Sequence, residues 1–266
     1  MQTNPIGVFD SGMGGLTVLS ALRSVMPNES FIYLGDTARL PYGTKSKETV
    51  RQYATQMANL LLQRDIKALV IACNTASTAA RDHLQALFTD LPVIGVVEPG
   101  AEAAVAATRN HQVYVMATET TIASGAYQAC IKKAMPDAKV QAMPSGLLVA
   151  LAEEGMVHND IAKATLKHYL SDLKQEDTLL LGCTHFPVFK PALASILPEG
   201  VQVVDSADVT AAYTKQLLSE QNLLNSTHSE PKYQYLVTDS IQRFETIGER
   251  FLGEALNHHG IEQVDV

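Results

Sequence analysis

Two short stretches of this chain read alike, and together they limit what it can fold into more than any other feature. AlaLeuValIleAlaCysAsnThrAlaSer (68–77) and ThrLeuLeuLeuGlyCysThrHisPhePro (178–187) each run through apolar residues of strand type to a small residue and a cysteine. Hydroxyl, amide or imidazole side chains follow in both. A buried strand that stops at Cys-polar sets a thiol at the carboxyl edge of a sheet, where open α/β proteins take their ligands. Two such thiols, Cys73 and Cys183, predict a site with one sulfur on each side of a substrate. That arrangement suits removal of a proton from one face of a carbon and return of a proton to the other.

The repeat extends beyond the cysteines. IleGlyValPheAspSerGly (6–12) has a partner in ValTyrValMetAlaThrGluThrThr (113–121), which puts Asp10 and Thr118 at like positions. GlyAspThr at 35–37 matches MetProSerGly at 143–146 more loosely. Self-similarity at this long period means two half-molecules of similar design rather than a solenoid. Strand candidates fall at 6–9, 31–34, 68–72, 93–97, 113–117, 139–142, 178–181 and 201–204, with one more near 233–237 after the polar segment 222–231. Helical stretches lie between them at 15–26, 47–63, 77–88, 100–108, 121–134, 147–154, 160–173 and 208–219, and a closing helix is expected at 240–257. Strands alternating with amphipathic helices predict parallel sheets built from βαβ units. The expected fold is α/β: two pseudo-symmetric parallel-sheet halves with the active site between them. GluProGly at 98–100 and AspSerAlaAsp at 205–208 carry turn or cap signals at the crossings. The division that follows is a first domain of 1–97 plus 208–266 and an inserted second domain of 98–207.

Bulk properties exclude several classes. A net charge of −8 offers no basic stripe for phosphate backbones, so no nucleic-acid partner is expected. No apolar run reaches membrane-spanning length, and the N-terminus enters a strand at once with no signal-like segment. A soluble, cytoplasmic protein is expected. The three cysteines at 73, 130 and 183 are odd in number, and two share one context, which is not a disulfide framework. Metal ligation needs three or four ligands at close spacing; the chain has no Cys-x-x-Cys, and HisHis at 258–259 sits in its tail. No metal site is expected.

PheAspSerGlyMetGlyGlyLeuThr (9–17) is a strand, a Gly-rich turn and a helix start. It reads either as a phosphate-cradling loop or as a tight βα turn, with Asp10 and Ser11 at the strand tip facing the crevice. ProTyrGly (41–43) is a turn signature that beside a crevice also offers a hydroxyl and two amides to a carboxylate. In CysAsnThr (73–75), Asn74 or Thr75 is expected to cap the following helix, and a thiol at a helix N-terminus has its pKa lowered from about 8.5. In CysThrHis (183–185), His185 either assists Cys183 or is a satisfied core histidine. Cys130, on an apolar helical stretch, reads as a buried hydrophobe. A cysteine hydrolase would pair one thiol with a histidine base and leave the second thiol idle, so proton transfer is favoured over acyl transfer.

AspSerGlyMetGlyGly, GlyAspThrAlaArgLeuProTyrGly, AlaCysAsnThrAlaSer and GlyCysThrHisPhePro, in this order, resemble the glutamate racemases. The resemblance covers essentially the whole chain. It implies cofactor-independent interconversion of L- and D-glutamate, with neither pyridoxal phosphate nor metal, supplying D-glutamate for peptidoglycan. It implies Cys73 and Cys183 as acid and base, Cys73 taking the proton of D-glutamate and Cys183 that of L-glutamate. It implies Asp10 and Ser11, Tyr42 and Gly43, Asn74 and Thr75, and Thr184 and His185 as substrate contacts. Asp10 and His185 would help the neighbouring thiols change protonation state, and Glu153, in LeuAlaGluGluGlyMet, matches a further acidic residue. Many relatives carry a cysteine near the proline where this chain has MetProSerGly. A homodimer is compatible with the family, and aspartate racemase is the nearest alternative activity. A phosphate-ligand-binding module is the alternative from another class; it would need the Gly-rich loop but not Cys183.

Overall fold

The computed structural model describes residues 2–227, 230–256 and 260–266. Its strands form two parallel sheets. The first holds β1 (Ile6–Asp10), β2 (Phe31–Gly35), β3 (Ala68–Ile71), β4 (Val93–Gly95), β9 (Tyr233–Val237) and β10 (Ile261–Gln263), in the order β10-β9-β2-β1-β3-β4. The second holds β5 (Gln112–Ala117), β6 (Lys139–Pro144), β7 (Thr178–Gly182) and β8 (Gln202–Asp205), in the order β6-β5-β7-β8. The run β2-β1-β3-β4 thus recurs as β6-β5-β7-β8. The repeat read from the cysteine motifs is a repeat of topology: β1 answers to β5 and β3 to β7. The chain has two parallel-sheet α/β halves, and the first is widened by β9 and β10. Central strands such as β1, β3 and β7 are buried throughout, which is why they read as unbroken apolar runs rather than alternating ones.

Several boundaries differ from the expected ones, each for a local reason. The helix expected at 77–88 is α3 (Asn74–Leu87), because the Cys73 sulfur itself accepts the Ala76 N–H and caps it. Asn74 and Thr75 are therefore the first helical residues and not the cap. The helix expected at 121–134 is two, α5 (Glu119–Ala123) and α6 (Ala126–Ala134), broken where Gly125 takes φ +66°. GluProGly at 98–100 lies inside the first turns of α4 (Val97–Ala107), so the crossing comes earlier, directly after β4. Asp205 caps α10 (Ser206–Glu220) by accepting the Ala207 N–H, as its turn signal suggested. Cys130 is half-buried on α6 rather than enclosed.

The closing helix is α11 (Ile241–Leu252), which buries Phe244, Ile247, Phe251 and Leu252 along one face. It ends at Gly253 in the left-handed region, φ +82°, where only glycine is at ease. Part of the expected 240–257 helix, residue 257, lies outside the described residues, as does HisHis at 258–259. β10 was not foreseen: three residues are too few for a periodic signal. α10 packs against both α1 (Leu16–Val25) of the first half and α4, and so fastens the halves together. Among the described residues, no helix is long and apolar enough to cross a membrane.

Candidate active site

β1, β3 and β7 end in Asp10, Ala72–Cys73 and Cys183, so strand tips from both sheets meet in one cleft. Its wall carries Ser11, Tyr42 and Gly43, then Cys73, Asn74 and Thr75, from the first half, and Glu153, Cys183, Thr184 and His185 from the second. Ten of the eleven residues singled out in the sequence therefore line one cavity. Asp10 is the eleventh; it lies fully buried beneath the floor, where its carboxylate accepts the Gly12 N–H at 3.0 Å. Sequence reading had not placed Leu40, Pro41 and Val149 in the wall, nor Thr118 there rather than merely opposite Asp10. Apolar residues on a turn and a helix carry no chemical signature, whereas Thr118 is marked by its place after β5.

The Gly-rich turn has a packing explanation. A Cβ on Gly14 would lie 2.4 Å from Nδ1 of His185 and 2.6 Å from the Thr184 hydroxyl. The loop of the first half thus touches the CysThrHis loop of the second, and any side chain there would push His185 aside. Tyr33 holds the same turn by donating to the Gly12 carbonyl at 3.1 Å. The Tyr42 hydroxyl is not offered to the cavity. It donates to Asp36, a buried carboxylate that also accepts from Arg39 Nε at 2.7 Å and from Thr238 at 3.0 Å. This knot fastens the ProTyrGly turn, whose first N–H groups have no partner within so short a helical turn.

The two thiols have different neighbours. Cys73 Sγ lies 3.5 Å from the Ser11 hydroxyl and 3.4 Å from the Ala76 amide. Burial, followed by the nearby Asp10 charge, pushes its thiol up to about 12, outweighing the amide and the hydroxyl that favour the thiolate. The lowering expected from the helix N-terminus is thus present but overcome by desolvation. Asp10 is itself raised, because burial outweighs the His185 charge and three backbone amides. Cys183 Sγ lies 3.9 Å from Nδ1 of His185, whose Nε2 is 3.2 Å from Glu153 Oε1. Burial alone would lower His185, but its hydrogen bonds to Cys183 and Glu153 and the charges of Cys183 and Asp10 raise it to about 10. Glu153 is lowered: burial works against its charge, but His185 and Arg243 more than offset it. Arg243, on α11, reaches the far oxygen of Glu153 at 3.2 Å, and Arg250 donates to the Glu153 carbonyl at 3.1 Å. Phe251 sets its ring edge-on to His185 at 5.1 Å. His185 is therefore no isolated core histidine but the centre of a charged chain from Cys183 to the C-terminal helix.

Two buried polar atoms at the site have no partner within the protein: Oδ1 of Asp10 and Nδ2 of Asn74. Buried polar groups are otherwise nearly always paired, so the Asn74 amide, which lies in the cavity wall, is left for a ligand. Among the described residues, no cluster of three or more His, Cys, Asp or Glu side chains could hold a metal ion.

The family sequence profile described as Asp/Glu/Hydantoin racemase matches residues 17–214. Glutamate racemase from Neisseria meningitidis is 44% identical over 267 residues, covering 100% of this chain and 98% of the relative. The chain belongs to the glutamate racemase family. A second member, glutamate racemase from Geobacter metallireducens, is 46% identical over 96% of this chain and 95% of its own length. The crystal structure of the glutamate racemase from Francisella tularensis in complex with D-glutamate superposes with a TM-score of 0.92 at 42% identity, covering 100% of this chain and 98% of that one. As a glutamate racemase family member the chain is an amino-acid racemase, and both cysteine motifs lie within the regions these relatives span.

Proposed function

We propose that the chain interconverts L- and D-glutamate by proton transfer between Cα and two thiols, Cys73 and Cys183, in the cytoplasm, supplying D-glutamate for peptidoglycan. The observation that carries this reading is the placement of the two thiols at equivalent strand tips of two pseudo-symmetric sheets, both on the wall of one cavity. Glutamate as substrate is supported by the full-length likeness to glutamate racemases, one of them bound to D-glutamate.

The geometry orders the steps. An α-proton is a very weak acid, so the developing carbanion must be stabilised on the α-carboxylate by fixed donors. The amides at 42–43 and 74–75 and the Thr184 hydroxyl are the donors available for this at the wall, and the Asn74 carboxamide is left for a carboxylate oxygen that carries its charge throughout. With L-glutamate, Cys183 as thiolate takes the α-proton, and its electron pair passes into the carboxylate to give an enediolate. The Cys73 thiol then delivers its own proton to the opposite face, leaving D-glutamate, a Cys73 thiolate and a Cys183 thiol. His185, held protonated by Glu153, balances a thiolate at Cys183; Asp10 lies beneath the site, and its charge acts on Cys73.

The cavity itself measures about 30 Å³, room for about two waters and not for an amino acid. A hollow of about 380 Å³ adjoins it, sharing Leu40, Pro41, Gly43, Thr118, Val149 and Glu153. The structure is thus a closed form, and glutamate enters as the two halves, joined directly after β4 and at the start of α10, move apart. Closure then excludes water from the carbanion. Incubating purified protein with L-glutamate and, in parallel, L-aspartate tests the assignment by optical rotation. Decay of rotation with glutamate and not with aspartate supports it; the reverse pattern would make this an aspartate racemase.

A further inference from the structure

Asn74, the first residue of α3, presents an unpartnered Nδ2 at the cavity wall while its Oδ1 accepts the Tyr127 hydroxyl at 2.5 Å. Tyr127 lies on α6, so a side chain of the second half holds a site residue of the first. It is fully enclosed, and two glycines make room for it. A Cβ on Gly182 would sit 2.8 Å from its ring, and one on Gly100 3.2 Å from its oxygen. The Ser206 side chain, at the start of α10, also lies beside the phenol. A hydroxyl has one proton to give. The Tyr127 proton goes to Oδ1 of Asn74, and the NH2 end of the carboxamide is the end left for the cavity.

We propose that Tyr127 is a positioning residue that fixes which end of the Asn74 carboxamide meets the substrate, so that an anionic oxygen finds N–H rather than C=O. The proposal rests on Asn74 contacting the substrate. Without the phenol hydroxyl, the carboxamide turns over at little cost, and its oxygen then faces a carboxylate oxygen, two acceptors with no proton between them. Because substrate and transition state both carry the carboxylate, the effect falls on binding more than on turnover.

Tyr127→Phe keeps the ring and removes only the hydroxyl. The expected result is a rise in KM of about 10-fold for both enantiomers, as for loss of a hydrogen bond to a charged group, with kcat changed by less than about 2-fold. In the double variant Tyr127→Phe/Asn74→Ala, KM should match that of Asn74→Ala alone, because the hydroxyl acts only through the carboxamide. Unchanged KM in Tyr127→Phe, where Asn74→Ala raises it, overturns the proposal. Additive losses in the double variant also overturn it, since they show that Tyr127 acts through packing. If Asn74→Ala itself leaves KM unchanged, the contact reading of Asn74 fails first, and the proposal falls with it.

Discussion

At the end of β3, the Cys73 sulfur meets a helix amide and a serine hydroxyl and feels the charge of buried Asp10; at the end of β7, the Cys183 sulfur meets an imidazole backed by a glutamate and an arginine. The two ends are equivalent in topology and almost equal in burial, 5% and 6% exposed. They belong to different packed clusters, Cys73 with Phe9, Ile71 and Tyr42, and Cys183 with Met13, Leu148 and Phe186. The repeated backbone places two like atoms on two sides of one cavity, while the side chains around each set its charge separately. In the closed form burial and Asp10 hold the Cys73 thiol up, while Cys183 has a protonated imidazole beside it, so one pseudo-symmetric frame gives its two sulfurs different surroundings.

The largest effects should be the same at both ends. Cys73→Ser and Cys183→Ser are each expected to reduce racemisation by about 10³-fold or more with the melting temperature retained, because a serine hydroxyl is a far weaker base in the same place. Near-full activity in either variant would break the comparison, since one thiol would then suffice. The equilibrium between enantiomers has a constant of one, so kcat/KM must fall equally from either side in any variant. Asymmetry between the ends therefore has to be sought elsewhere.

Next in size, His185→Asn should lower kcat with L-glutamate by about 10²-fold, and Glu153→Gln by about 10-fold, as the charge on the imidazole loses its support. The same chain gives a pH signature. The folded pKa of His185, about 10, lies above that of a free imidazole, about 6.5. Its contribution to stability is full below about pH 6.5 and is lost as pH rises through about 10. The melting-temperature gap between the native protein and His185→Asn should be widest near pH 6 and should narrow toward pH 10; a gap independent of pH would show the imidazole to be neutral in the fold.

Thiol reactivity sharpens the contrast further. With access nearly matched, iodoacetamide at pH 8 should alkylate Cys183 before Cys73, whose thiol is held up at about 12, as peptide mapping would show. The smallest effect belongs to Arg243, whose side chain is 47% exposed and whose ion pair with Glu153 is screened accordingly. Arg243→Gln should change kcat by about 2-fold to 3-fold and should be restored by Arg243→Lys. A loss as large as that of Glu153→Gln would place the source of the Glu153 charge on α11.

What could be read in the sequence followed the backbone period and the cysteines. Buried parallel strands are short unbroken apolar runs, so β3 and β7 were visible, and their polar tips marked Cys73, Asn74, Thr75, Cys183, Thr184 and His185 together. Helix starts were less legible: a cysteine capping α3 through sulfur has no conventional signature. Electrostatics was misread at Cys73, because its burial near Asp10 depends on a second strand some 60 residues away. Asp36, Tyr127 and Arg243 were missed for a similar reason. Each acts through a partner brought near only by folding, on a turn, on the opposite half or on the last helix, and no local pattern announces it.

The central claim is that two thiols work on opposite faces of Cα. The direct measurement is incubation of L-glutamate with the protein in D2O, stopped at a few per cent conversion, with deuterium at Cα determined separately in product and recovered substrate. Two thiols, one removing and one delivering, predict D-glutamate carrying solvent deuterium and recovered L-glutamate still carrying protium. Product that retains the substrate's own proton, or recovered L-glutamate as deuterated as the product, would mean that a single group serves both faces and would contradict the account.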